Sequence, residues 1–317
     1  MLNIIMSDIL AHTVLMVCPA AFGFNPETGA SNPFQKPFPE LTAGEIQELA
    51  LYEFDQLAAR LKKAGVTVIA VADTDLPETP DAVFPNNWFC THPGGPLLTF
   101  PMASKIRRKE RRDDILARLE ELTGAPPDRS LESFEQRGAY LEGTGSMVLD
   151  HHNKLAYAAL SSRTHEEVLA EYSNLSGYQA VPFRALGPEG EAIYHTNVMM
   201  CIGPDFVIIG LDTIDPGDRE RIAGLLEKTG KTILKLGNRQ VYEHFAGNML
   251  CLASKSGGRV LVMSNNARLS LSAAQEATIV DKFGCTIVSS PIPVIERIGG
   301  GSVRCMIAEV FKHLSSR

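Results

Sequence analysis

Several things are scarce in this chain. No run of 18 or more apolar residues occurs, so no transmembrane helix is expected. Basic residues are outnumbered: 30 Lys and Arg stand against 37 Asp and Glu, and the formal charge of -7 argues against a general nucleic-acid binder. Cysteine is sparse and never paired. Cys18, Cys90, Cys201, Cys251, Cys285 and Cys305 are scattered with no CxxC, which argues against zinc and dithiol redox chemistry. No metal and no cofactor are expected. A basic leader is missing too: Ser7-Asp8 interrupts the apolar Met1–Met6, which does not read as a signal peptide. Isolated thiols fit a reducing cytoplasm. With no Pro/Gly/Ser-rich linker and no break in composition, residues 1–317 are expected to form one domain. At 44% hydrophobic and 21% charged, the chain has ample material for a core.

What is present is organised by repetition. Thr13–Cys18 reads as a first strand, followed by a long Gly-, Pro- and Asn-rich loop that runs through Phe34-Gln35; loops of that length are often functional. Thr42, with Glu45 three residues on, is a capping box for a helix whose apolar face carries Ile46, Leu49, Ala50, Phe54, Leu57 and Leu61 up to Gly65. Val66–Val71 then reads as a buried strand. From there a pattern recurs: small or polar residues lead a short apolar strand, then come a turn, a second strand, a helix and a third strand. Its instances begin at Asn86-Asn87, Gly145-Ser146, Thr196-Asn197, Gly247-Asn248 and Gly301-Ser302, about 50 to 60 residues apart. Helices are expected at residues 111–122, 165–172, 216–229 and 273–283. About five strand–strand–helix–strand modules follow, whose leading polar residues would converge at the centre of a ring.

Three of those leading regions carry reactive side chains. In Gly299-Gly300-Gly301-Ser302-Val303-Arg304-Cys305, three glycines let the backbone approach a ligand. The residues after them alternate like a buried strand, so Cys305 would sit where a flexible loop enters a rigid element. Glu142 lies in a glycine-rich turn before a strand, where a solvated carboxylate is the plainer reading. His195 also precedes a strand, where a structural histidine is common. Pseudo-symmetry would bring Glu142, His195 and Cys305 together at one centre, where carboxylate, histidine and cysteine form a nucleophilic set. The other five cysteines read as packing, His151-His152 as a surface hairpin turn, and Arg304 as pointing to the face opposite Cys305.

These residues resemble the guanidine-modifying (pentein, or amidinotransferase-like) superfamily. Glu142-Gly143, the His195 loop and the Gly-rich Cys305 loop carry the likeness. Phe22–Asn25, Phe84–Phe89, Arg107–Arg111 and Tyr194–Asn197 are similar, more narrowly, to an arginine-deiminase-related bacterial branch linked to citrulline hydrolysis. The resemblance spans essentially the whole chain. It implies a five-bladed α/β propeller of ββαβ modules and a covalent mechanism. Cys305 would attack the guanidino or ureido carbon, His195 would move protons, and Glu142 would pair with His195, holding the imidazole charged or oriented, or with a substrate nitrogen. A free cysteine ionises at about 8.5, so the thiol needs help to react.

The resemblance also suggests where substrate binds. Arg163 resembles a carboxylate-binding arginine, and Arg107 or Arg108 is a second candidate, arginine being suited to bidentate carboxylate recognition. Most of the Arg107–Arg112 run reads equally as a solvated helix start. Asn86, Asn87 and Asn197 stand where arginine deiminase has carboxylates. A carboxylate suits a guanidinium; an amide offers a donor and an acceptor to a neutral urea. Citrulline, giving ornithine, carbon dioxide and ammonia, is the preferred substrate on that basis. Succinylarginine dihydrolase, which accepts a guanidinium, also has an asparagine here. Arginine deiminase and dimethylarginine dimethylaminohydrolase activities therefore stay open, as do an amidinotransferase, a nucleophile-free binding module of the same fold, and a cysteine amidase or peptidase. The expected partner is a small amino acid, with no nucleic acid and no membrane; a homo-oligomer stays open.

Overall fold

The computed structural model describes residues 9–312, so the apolar segment Met1–Met6 lies outside the described residues. The first strands are β1 (Thr13–Cys18) and β2 (Thr67–Ala72), which pair in parallel. Val14 to Val17 are buried without a break, the pattern of a strand covered on both faces. Between the two runs helix α1 (Ala43–Lys63). The capping box forms as the sequence implies: Thr42 Oγ1 accepts from the Glu45 N–H and Glu45 Oε2 accepts from the Thr42 N–H, worth about 1 kcal/mol. Ala50, Phe54, Leu57 and Leu61 form its buried face.

Four more modules follow the same plan. The second has β3 (Phe89–Thr91), β4 (Leu97–Thr99), α2 (Asp113–Thr123) and β5 (Pro127–Asp128). The third has β6 (Met147–Asp150), β7 (Leu155–Ala159), α3 (Glu166–Ser176) and β8 (Gln179–Phe183). The fourth has β9 (Met200–Ile202), β10 (Phe206–Ile209), α4 (Pro216–Lys228) and β11 (Thr232–Lys235). The fifth has β12 (Leu250–Ala253), β13 (Arg259–Ser264), α5 (Ala273–Ala277) and β14 (Cys285–Ser290). In each the first two strands are antiparallel, and the third joins the second in parallel after the helical crossover. The expected helix over 273–283 breaks after Ala277 into a π-helical turn, Thr278–Lys282.

The one topological surprise lies at the chain ends. After helix α6 (Pro293–Gly299), a two-residue strand β15 (Ala308–Glu309) pairs antiparallel with β1, Val14 opposite Glu309. The Thr13–Cys18 strand and the last sequence instance, at Gly301-Ser302, are thus halves of one module, and the result is five three-stranded sheets of ββαβ type, the pentein fold. The segment around Cys305 is not a strand. Residues 302–306 form a tight turn, with the Cys305 N–H on the Ser302 carbonyl, and β15 starts only at Ala308. Among the described residues no helix is long and apolar enough to cross a membrane.

Candidate active site

Each module opens with a short turn ahead of its first strand, and these turns carry the site. Asn87, Asn197, Asn248 and Cys305 stand two or three residues before β3, β9, β12 and β15. The third module has Gly145 near the equivalent point. A Cβ there would lie 2.3 Å from Asn87 Nδ2 and 2.8 Å from the His195 ring, so only glycine lets those side chains meet. Gly300 ends α6 at φ +61°, and a Cβ on it would meet Asn32 Nδ2 at 2.5 Å. That close approach lets the long N-terminal loop lie directly over the Cys305 turn.

Cys305, His195, Arg163, Arg107 and Asn87 line one cavity of about 20 Å³, together with Thr28, Asn32, Asp81, Tyr194 and the three glycines. That is room for a single water molecule. The N-terminal loop closes it: Asn25, Thr28, Asn32 and Gln35 turn inward and are buried. Asn32 Nδ2 donates to the Gly300 carbonyl at 3.0 Å, and the Tyr194 hydroxyl donates to the same oxygen at 2.8 Å. The Cys305 sulfur, 4% exposed, receives Asn197 Nδ2 at 3.4 Å and Asn248 Nδ2 at 3.3 Å.

Glu142 is fully buried rather than a solvated turn residue. Its Oε2 lies 2.8 Å from His195 Nε2 and 3.5 Å from Arg163 Nη1, and its Oε1 accepts the Ala103 N–H. Burial alone would raise this carboxyl; Arg163, the hydrogen bond from His195 and Arg107 outweigh it and hold it well below the usual range. Glu142 is therefore ionised, and His195 Nε2 carries the shared proton. Burial pushes the His195 imidazole down to about 4, against the pull of Glu142. At neutral pH the ring is uncharged, with Nδ1 holding the free lone pair.

The arginines divide. Arg107, far from being a solvated helix start, is buried. Its guanidinium grips Glu110 at two points, 2.8 and 3.0 Å, and donates to Asn87 Oδ1 at 2.7 Å. Asn87 Nδ2 in turn donates to the Glu142 carbonyl at 3.5 Å, beside Gly145. Arg163 reaches Thr28 O and Ser31 Oγ as well as Glu142, tying the covering loop to the acid. Arg108 is not at the cavity: its Nε donates to Met102 O and pairs with Glu135, because its side chain leaves the turn on the other side. Asn86 also falls outside the cavity wall, bonding Thr144 Oγ1 at 3.3 Å. Arg304 does face away from Cys305, toward Ile307 O and Glu309, though the cause is a turn and not strand alternation. His151 is not a surface residue; it is half-buried, 2.6 Å from the Tyr178 hydroxyl.

Two residues at the site, Asp81 in the cavity wall and Asn248 behind the sulfur, escaped residue type and spacing. Asp81 lies in an unremarkable Pro80-Asp81-Ala82-Val83 run, yet its carboxylate is buried and accepts from Asn25 Nδ2 at 2.7 Å and Thr28 Oγ1 at 3.2 Å. Burial raises it, against Arg107 and the Asn25 bond. Asn248 could have been found, since it leads the fifth module as Asn197 leads the fourth.

Comparison with known proteins bears on the family. No curated protein sequence is similar. Among solved structures, the N-terminal domain of ArgZ, covalently bound to a reaction intermediate, superposes with a TM-score of 0.72 at 15% identity, over 95% of this chain and 98% of that one. Unliganded AgrE gives 0.73 at 15% identity, over 96% of this chain and 40% of that one. A dimethylarginine dimethylaminohydrolase adduct with S-methyl-L-thiocitrulline gives 0.63 at 12% identity, over 95% of this chain and all of that one. At these identities the likeness is one of fold. A family model described as N,N dimethylarginine dimethylhydrolase, eukaryotic, matches residues 18–312, and with nearly the whole chain covered this protein belongs to that family.

Proposed function

We propose that this protein is a thiol-dependent hydrolase of a carbon–nitrogen bond in the guanidino or ureido group of a free amino acid, with citrulline as its preferred substrate. The observation that carries the reading is that Cys305 and a neutral His195, held from behind by an ionised Glu142, line one cavity. In the citrulline reaction, His195 Nδ1 takes the Cys305 proton as the sulfur attacks the ureido carbon. The same proton passes to the departing side-chain amine, which leaves as ornithine. Cys305 is left as an S-carbamoyl thioester. Water, deprotonated by His195, adds to that carbon and expels the sulfur, which recovers its proton. The released carbamic acid falls apart to carbon dioxide and ammonia. Glu142 keeps the proton-bearing Nε2 turned away from this traffic.

The ureido preference rests on Asn87. Arg107 holds its oxygen, so the amide offers the cavity a donor, suited to a urea oxygen and wasted on a guanidinium. Asp81 supports a second reading, because a buried carboxylate in the wall suits a cationic guanidino group. The relatives point the same way: ArgZ is described as an arginine dihydrolase of the ornithine-ammonia cycle in cyanobacteria. At about 20 Å³ the cavity is smaller than any amino acid, so binding requires its wall to open.

The test is product analysis by mass spectrometry with citrulline, arginine and dimethylarginine offered in parallel, beside Cys305→Ala. Ornithine from citrulline, absent in the variant, is the expected outcome. Ornithine from arginine with no turnover of free citrulline, or citrulline as the end product, would overturn the ureido preference. Turnover surviving in Cys305→Ala would overturn the thiol mechanism.

A further inference from the structure

Asn248 leads the fifth module, and its carboxamide is fixed at every polar atom. Its Oδ1 accepts the backbone N–H of Arg304 at 2.9 Å. One Nδ2 proton goes to the Asn197 carbonyl at 3.0 Å, and the other points at the Cys305 sulfur at 3.3 Å. A flipped amide would set oxygen against a carbonyl and nitrogen against an N–H, so the two backbone partners decide which end faces the sulfur. Asn248 is 1% exposed, so water offers its amide no alternative.

Among the described residues, the donors to the sulfur are this amide and that of Asn197. The nearby charged groups are committed elsewhere. Arg107 serves Glu110 and Asn87, Arg163 serves Glu142 and the covering loop, and His195 Nε2 serves Glu142. The same amide also suits the protonated sulfur, since Sγ lies 3.7 Å from Asn248 Oδ1 and can donate there. Hydrogen bonds to an ionised acceptor are roughly twice as strong as neutral ones, so the N–H contacts gain when the sulfur becomes a thiolate.

We propose that Asn248, seconded by Asn197, forms an uncharged two-donor cradle that orients the Cys305 sulfur and binds the thiolate, both on attack and when the sulfur is expelled. The proposal rests on Cys305 being the nucleophile. Neutral donors suit this site. A fixed cation at the sulfur would attract the paired carboxylate of Glu142.

The test uses the full chain and reads iodoacetamide alkylation of the Cys305 peptide by mass spectrometry, from pH 6 to 10. Asn248→Asp keeps the acceptor for Arg304 N–H and replaces the donor at the sulfur by an oxygen. Its half-reactive pH should rise by about one unit or more, so that alkylation at pH 7 falls about tenfold. If that variant does not fold, Asn197→Ala carries the test; Asn197 Oδ1 has no partner to lose, and its profile should move upward by a smaller amount. Folded variants with the wild-type alkylation profile overturn the cradle. The readout needs no substrate, so a shifted profile without turnover of any of the three amino acids would overturn the proposed function and leave the cradle standing.

Discussion

Arg304 and Cys305 are neighbours in the chain and face opposite ways from one turn, and the two regions they enter are built on opposite principles. On the Arg304 side the charged groups are paired. Arg304 donates to Ile307 O and to Glu309, Lys231 is held by Asp150 at 2.9 Å and by the carbonyls of Gly203 and Pro204, and His151 meets Tyr178. On the Cys305 side, groups are left open: Asn197 Oδ1 is buried without a partner, and His195 Nδ1 keeps its lone pair. Buried polar groups normally find partners, so orphans mark places where stability was not the only requirement. The same module ends, seen from two directions, make a clasp on one side and a reactive chamber on the other.

If the contrast holds, variants on the two sides should separate activity from stability. Glu142→Gln keeps the shape but removes the charge that orients His195; kcat should fall about 10²- to 10⁴-fold, the range of acid–base contributions. Steady-state kinetics checks this, and a fall under threefold would return Glu142 to a structural role. Lys231→Met should do the reverse. It strands Asp150 as an unpaired buried charge, costing about 3–5 kcal/mol by urea unfolding, while kcat of the folded fraction stays within twofold. A large loss of kcat at unchanged stability would break the comparison.

The smallest effect concerns pH. Burial, with lesser contributions from His92, Arg304 and Lys231, pushes His151 down to about 3. A depressed histidine contributes stability that is present above its unfolded value of about 6.5 and is lost as pH falls toward the folded value. Between pH 6.5 and 4, the urea midpoint should therefore decline less steeply in His151→Gln than in the wild type. Equal slopes would mean that His151 is not held neutral.

Much of this was legible in the chain. Local signals did well: the Thr42–Glu45 box formed, and helices expected over 216–229 and 111–122 appear at Pro216–Lys228 and Asp113–Thr123. The repeat located the strand-leading turns, and Glu142, His195 and Cys305 were singled out because those turns share one position in each module. The strand reading after Gly301 failed because alternation of apolar residues cannot distinguish a strand from a turn packed between sheets. Arg107 and Arg108 could not be told apart, since adjacent residues differ only in which way the turn sends them.

By itself, then, the sequence determined the modular plan and the helices and pointed to three candidate positions, because periodicity, capping and repetition are local properties of a chain. The tertiary structure alone decided that β15 closes the first module, that Asp81 enters the cavity wall, that Arg107 and not Arg108 holds Asn87, and that two amides face the sulfur. Each of these depends on the direction of a side chain relative to residues far away in sequence. That direction is set by which buried groups need a partner once the sheets have come together.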